Sequence, residues 1–388
     1  MTPVAVHRPV RPLGRLHIAG VDVVIAPDGV PHLIEINDRP LLLARSAIRV
    51  DGVAPTRGAV DALAVDLLAA APRGEVGVVL SEAFALPGGA EVVVDQVSSW
   101  RPVGADAFVD DVRIRGVVED LDAVTAAVVC AGGRLRVVEA AAAARLWTAE
   151  PDPTGLPVWN RSQIDIRWPG PVVNHRAATA LCIDKLTTRR LCGGIGGDVP
   201  AVEAVAHSAA PFDGAGPLVL KPRNGSGSRS VHRGHWGELR GIVDAGAGRE
   251  DYVVEPWIEP ATLADGDRDY RFDLRVFVVG GTTVGMLARR AAAAMSPLVA
   301  GSPLSWLTTT GRVLAVREAP AGVATTDGDV AMLPGPWLAV AAGLAERATA
   351  AVEDAAQLRT VPPPPSFAQL HAISGPVRPV VLDVRAAA

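Results

Sequence analysis

The run LHIAGVDVVIAPDGVPHLIEIN (16–37) leaves this chain the fewest structural options. Two apolar stretches, 16–25 and 31–37, flank APDG (26–29), and Asp-Gly between such stretches is a strong hairpin signal. A second pair of runs, YRFDLRVFVVGG (270–281) and TTVGMLARRAA (282–292), meets at Gly280-Gly281. Between these hairpins, helices and short strands alternate. Residues 57–71 carry Val60, Leu63, Leu67 and Leu68 on one helical face; 76–80 read as a buried strand, 121–132 as a helix and 134–140 as a strand. That rhythm predicts an α/β (α+β) fold with a small parallel layer. Farther on, 150–157 read as a linker, 176–192 as a helix carrying Asp184 and Lys185, and 217–221 as a strand. Residues 251–260 read as a strand running into an irregular stretch, 337–357 as an Ala-rich amphipathic helix and 378–385 as a last strand.

At 388 residues, two or three domains are expected in one folded body. With 49% apolar and 20% charged residues the composition is that of a soluble globular protein, and a net charge of −5 offers no surface for nucleic acid. Three cysteines without C-x-x-C spacing argue against a disulfide framework or structural zinc and suit a reducing cytoplasm. No apolar signal segment is read in residues 1–20. The uncharged run 291–311 is interrupted by Pro297 and Pro303, so it reads as a loose loop that could close over substrate rather than a membrane span.

Only two of the 37 Lys+Arg residues are lysines, Lys185 and Lys221. Where arginine otherwise serves everywhere, a retained lysine points to a site needing a compact ammonium rather than a planar fork. Lys221 ends the apolar run PLVL and opens KPRNGSGSRSV, where Gly225, Ser226, Gly227 and Ser228 offer backbone N–H groups and hydroxyls to anionic oxygens. An ordinary β-turn is the competing reading, and the Walker A pattern is absent. Asp22, Glu35 and Asn37 lie on the two strands of the first hairpin. Glu35 and Asn37 share a face, with Ile34 and Ile36 on the other, so a hard cation such as Mg²⁺ or a solvated polar face are both open. Asp273, Arg275 and Phe277 share a strand face, and the Gly-Gly turn brings Arg289 or Arg290 beside them, a clamp for a carboxylate or phosphoryl group unless these are surface charges.

Together these motifs resemble the ATP-grasp superfamily. DKLTTRRL (184–191) and VLKPRNGSGS (219–228) resemble its two lysine motifs, VVEPWIEP (253–260) its adenine-reading hinge, and DLRVFVVGG with LARRAA its arginine-bearing strands. GVDVVIAPDGVPHLIEINDRP (20–40) resembles its metal-binding hairpin. That hairpin precedes the rest here, an order similar to the circularly permuted ATP-grasp ligases of the glutathionylspermidine synthetase kind. The resemblance implies three regions: 1–56 with the metal hairpin completing the ATP-grasp lobe, 57–156 as a pre-ATP-grasp α/β domain, and 157–388 as the nucleotide-binding and C-terminal lobes. It further implies ATP bound by Lys185, Lys221, Ser226, Gly227, Ser228, Glu255 and Trp257, Mg²⁺ on Asp22, Glu35 and Asn37, and an acyl phosphate stabilised by Arg275 and Arg289 with Lys221. A C-terminal alternative places the metal at Asp383, with Arg385 a poor ligand beside it. The implied activity is an ATP-dependent carboxylate–amine ligase acting on small molecules in the cytoplasm, with no nucleic-acid or membrane partner and a homodimer left open. Its rivals are a kinase or carboxylase-like enzyme, a pyridoxal-phosphate enzyme using Lys221, and an inactive binding module.

Overall fold

The computed structural model describes residues 13–46, 58–80, 84–85, 91–103, 112–139, 155–162, 168, 170–195, 201–204, 211–212, 216–224, 231–246, 251–291, 312–319, 322–358 and 380–386. The expected glycine loop at 225–230, the uncharged run after Ala291 and most of the 150–157 linker lie outside them.

The fold is mixed α/β. Eight strands form the largest sheet, in the order Thr262–Asp265, Thr325–Asp327, Val330–Leu333, Arg312–Glu318, Thr282–Arg290, Arg268–Val279, Ile18–Ile25, Pro31–Asn37. Thr262–Asp265 also pairs with Arg268–Val279, so six of these strands close on themselves and the 18–37 hairpin is added at the side. Both predicted hairpins form, and they meet: Ile18–Ile25 runs antiparallel to Arg268–Val279 with Asp22 opposite Arg275.

This junction is buried on both faces, which explains why its sequence is apolar almost throughout. On one side Val21, Val23, Leu274 and Val276 pack under the helix Gly335–Leu358 through Ala341, Leu344, Ala345, Ala348 and Val352. On the other, Ile18, Phe277 and Val279 join a core with Leu63 and Leu67 of helix Ala59–Ala69 and Val76, Val78 and Leu80 of strand Glu75–Leu80. The helix also holds the start of the hairpin: Glu353 accepts the backbone N–H groups of Arg15, at 3.0 Å, and Leu16.

The expected parallel layer has five strands, ordered Glu91–Val94, Arg134–Glu139, Glu75–Leu80, Val158–Asn160, Val172–Val173, with only Glu91–Val94 antiparallel. The helix expected at 121–132 is longer, Val112–Cys130. A separate antiparallel sheet orders Val202–Ala204, Tyr252–Pro256, Leu218–Pro222 and His232–Gly234. Strand Val380–Ala386 pairs elsewhere, with Phe84–Ala85 and Ser98–Val103, and Asp383 stands opposite Arg101.

Two local expectations are corrected. The 176–192 helix is two helices, Arg176–Ile183 and Lys185–Leu191, broken at Asp184. Asp184 is extended, and its carboxylate accepts the N–H groups of Leu186 and Thr187 at 3.1 Å, so N-capping of the second helix outcompetes continuation of the first. Strand Pro31–Asn37 does not alternate simply. The register slips so that Asp22 faces Glu35 while Val23 faces Leu33, leaving Ile34 as the extra residue of a bulge. Leu33 therefore enters the core with Ile36 instead of following Glu35.

Candidate functional site

The bulge re-aims Glu35 and Asn37. The Asn37 amide Nδ2 donates to Glu35 Oε1 at 3.2 Å, to Asp22 Oδ2 at 3.3 Å and to the Gly20 carbonyl at 3.3 Å. The three residues read as one constellation do converge, but their environments differ. Asp22 is buried, and both its oxygens are held by guanidinium: Arg275 Nε donates to Oδ1 at 2.8 Å and Nη2 to Oδ2 at 2.9 Å, with Arg289 Nη2 2.9 Å from Oδ2. Arg289 in turn grips Asp273, its Nε 2.8 Å from Oδ1 and its Nη2 on Oδ2. Burial pushes the Asp22 carboxyl up, yet Arg275 and Arg289 outweigh it and hold Asp22 below the usual carboxylate range. Burial leaves Asp273 raised despite Arg289. For Arg289, burial opposes the charge, and Asp22 and Asp273 overcome it to raise the guanidinium above its ordinary value. Asp22, Asp273, Arg275 and Arg289 thus form a charge-balanced buried quartet, so Arg275 and Arg289 are not the surface charges that were their alternative. Arg290, the other arginine considered, points away from it, over the Tyr270 ring at 4.0 Å and onto Asp265.

A second cluster surrounds Lys221, at the end of strand Leu218–Pro222. Its ammonium lies 2.7 Å from Glu255 Oε2, and Arg189 takes the same carboxylate bidentately, Nε to Oε1 at 3.0 Å and Nη2 to Oε2 at 3.1 Å. All three side chains are buried. Burial is the largest influence on each end: it pulls Lys221 below the usual lysine range although Glu255 opposes it. It pushes Glu255 up, but Arg189 and Lys221 more than offset this and leave Glu255 below its ordinary value. Glu255 therefore sits as counter-ion between two cations. Arg189 also donates to the Ile34 carbonyl at 3.3 Å, at the bulge.

Arg189 joins the two clusters. It lines one cleft with Glu35, Ile34, Lys185 and Thr188. Lys185 reaches that cleft because its backbone is tied to the Lys221 strand: Lys185 N donates to the Arg223 carbonyl at 3.0 Å. The Arg223 guanidinium grips Asp184 at 2.9 and 2.7 Å. Lys185, Arg189 and Glu35 thus line one cleft, and Arg189 links it to the buried Lys221–Glu255 pair. Trp257 stands apart from these contacts, its Nε1 donating to Glu259 at 2.8 Å and its ring 4.9 Å from the Arg233 guanidinium. Ser226, Gly227 and Ser228 lie outside the described residues. Asp383 belongs to the three-stranded sheet and is not among the residues lining the cleft.

Sequence reading missed Arg189. Its signal was the spacing from Lys185, since i and i+4 share a helix face.

Among the described residues no helix is long and apolar enough to cross a membrane. No protein-family model and no curated protein matches the chain. Among solved structures the chain is similar to a candidate gamma-glutamylcysteine synthetase from Methylobacillus flagellatus KT, at 9% identity over 87% of this chain and 89% of that one, TM-score 0.47. It is also similar to the D-alanine-D-alanine ligase of Coxiella burnetii, at 14% identity over 47% and 60% of the two chains, TM-score 0.20. A third similar structure is a RimK domain ATP-grasp protein from Sphaerobacter thermophilus, at 14% identity over 58% of this chain and 90% of that one, TM-score 0.27.

Proposed function

We propose that the chain binds ATP beside Lys185 and Lys221 and is an ATP-dependent carboxylate–amine ligase working through an acyl phosphate, with ADP and phosphate released. The observation that carries this reading is the gathering of Lys185, Arg189, Glu35 and the Lys221–Glu255 pair at one place. Phosphoryl transfer asks a protein chiefly for positioned positive charge and oxygen donors for a hard cation.

The residues present fit Mg²⁺ in part. Glu35 and Asn37 supply a carboxylate and an amide that converge. A half-turn of the Asn37 amide would present its oxygen to the same carboxylates, an arrangement that only a cation between them favours. Asp22 does not fit as a free ligand, because its oxygens are held by Arg275 and Arg289. Its part is to fix those arginines. Bound Mg²⁺ would neutralise phosphate charge. Within this reading Lys185 and Lys221 hold phosphate oxygens, while Arg275 and Arg289 are kept in place for an anionic acyl phosphate. Glu255 opposes the loss of charge that burial drives at Lys221.

The test is release of ADP by the full chain with Mg²⁺, ATP and a panel of carboxylates and amines, followed by mass detection of an amide. ADP release that needs both partners and yields an amide supports the reading. A phosphorylated product without amide would favour the kinase alternative.

A further inference from the structure

A second buried arginine has surroundings that ask for an anion. Arg161 follows strand Val158–Asn160, and ligands of mostly parallel sheets gather beyond the carboxyl ends of their strands. Its side chain is only 3% exposed. The Nη1 side is engaged, donating to the Pro40 carbonyl at 2.9 Å. Across the other edge, Nε has no hydrogen-bond partner among the described residues, and Nη2 comes no nearer than 4.0 Å to Asp120. The Nε–Nη2 edge is one that takes a carboxylate bidentately. Asp120 is occupied otherwise: its two oxygens accept the backbone N–H groups of Leu42 at 3.1 Å and Ala44 at 3.0 Å. Burial, the largest influence, lifts Asp120 to about 6, against the pull of Arg161 and the two backbone N–H groups. The guanidinium stacks over Trp159 at 4.9 Å, which fixes its plane. A second cation, Arg39, is half-buried nearby and reaches Asp38 at 3.4 Å.

Pro40 connects this edge to the proposed reaction centre. A β-carbon on Gly20 would come within 2.7 Å of Pro40 Cβ and 3.4 Å of Arg275 Cδ, so the proline ring, Gly20 and Arg275 are in close approach. The carbonyl of that same proline meets Arg161.

Resting on the ligase reading, we propose that Arg161, helped by Arg39, holds a second, non-reacting carboxylate of the substrate. The substrate class is then a dicarboxylic acid, the acidic amino acids included, rather than a simple monocarboxylate.

The test is calorimetric titration of the full chain with L-glutamate, L-aspartate and succinate, against analogues in which each carboxylate is amidated in turn: glutamine and isoglutamine, asparagine and isoasparagine, and succinamic acid. ATP binding is measured in parallel. At least one acid should bind at least about tenfold more tightly than one of its monoamides. Arg161→Gln should remove that preference, and Arg161→Lys should weaken it, with ATP affinity unchanged. If Arg161→Gln does not fold, Arg39→Gln, at a more exposed position, must reduce the preference. Equal binding of acids and amides, no binding of any acid, or an unchanged preference in the folded variants would overturn the proposal. Acid binding that persists without any ATP binding would sink the ligase reading and leave this site standing.

Discussion

Glu255→Gln tests the arrangement around Lys221 most directly. The substitution keeps shape and removes one charge. In the native chain that charge meets three donor atoms at 2.7, 3.0 and 3.1 Å, from two cations that are themselves buried. Glutamine presents an amide N–H to at least one of them and leaves Lys221 and Arg189 facing each other uncompensated. Removing one partner of a buried pair costs about 3–5 kcal/mol, whereas an exposed pair costs at most about 1 kcal/mol. Urea unfolding should therefore show a lowered midpoint with an unchanged slope, equivalent to about 3 kcal/mol or more. Adding Lys221→Met removes one stranded cation, so the double variant should recover at least about 1 kcal/mol relative to Glu255→Gln alone. A loss below about 1 kcal/mol, with no recovery in the double variant, would mean that the cluster is effectively solvated and that Glu255 is not the anchor of Lys221.

Lys221→Arg should lower ATP turnover at least ~10-fold, about 1.4 kcal/mol of transition-state stabilisation, because a fork cannot occupy the ammonium's place against Glu255; steady-state ADP release checks it. Glu35→Gln should abolish Mg²⁺-dependent ATP hydrolysis with the circular dichroism spectrum unchanged, while Asp383→Asn should be mild; the opposite ranking would move the metal site to the C-terminal strand. Against the upward push of burial, Arg223 and Thr187 hold Asp184 at about 2, below its ordinary 3.8. A depressed carboxylate contributes stability above its unfolded value and loses it as pH falls. After allowance for solvent screening, about 1 kcal/mol should vanish between about pH 4 and pH 2, and Asp184→Asn should remove that part of the acid dependence in urea titrations.

Much of the architecture was legible because it is written in short-range grammar. Asp28-Gly29 and Gly280-Gly281 mark their turns, with Gly29, Gly280 and Gly281 all at positive φ. The two lysines stood out in the sequence as the only lysines among its 37 cationic residues. What the sequence hid were choices among competing local partners. Asp184 reads equally as a helical residue or a cap, and only the bonds to Leu186, Thr187 and Arg223 decide it. The bulge at Ile34 arises from pairing with Ile18–Ile25, and no pattern within 31–37 announces it. Asp22 looked like a metal ligand because the residues that claim it, Arg275 and Arg289, lie far along the chain. Arg161 and Asp120 are buried charges in a chain where arginine is common, so composition gives them no prominence.

The separation of Asp22 from Arg275, 253 positions along the chain, also sets a schedule for synthesis. At roughly 5–20 residues per second, the strand bearing Asp22 waits on the order of 10–50 s for its antiparallel neighbour. During that interval an apolar hairpin destined for burial on two faces has only its own two strands to pair. The emerging polypeptide must keep that ribbon from joining another, by holding it against earlier helices or handing it to a chaperone. Closing the sheet around the buried charges is then a late event, and nascent chains arrested before residue 275 should fail to assemble the cleft.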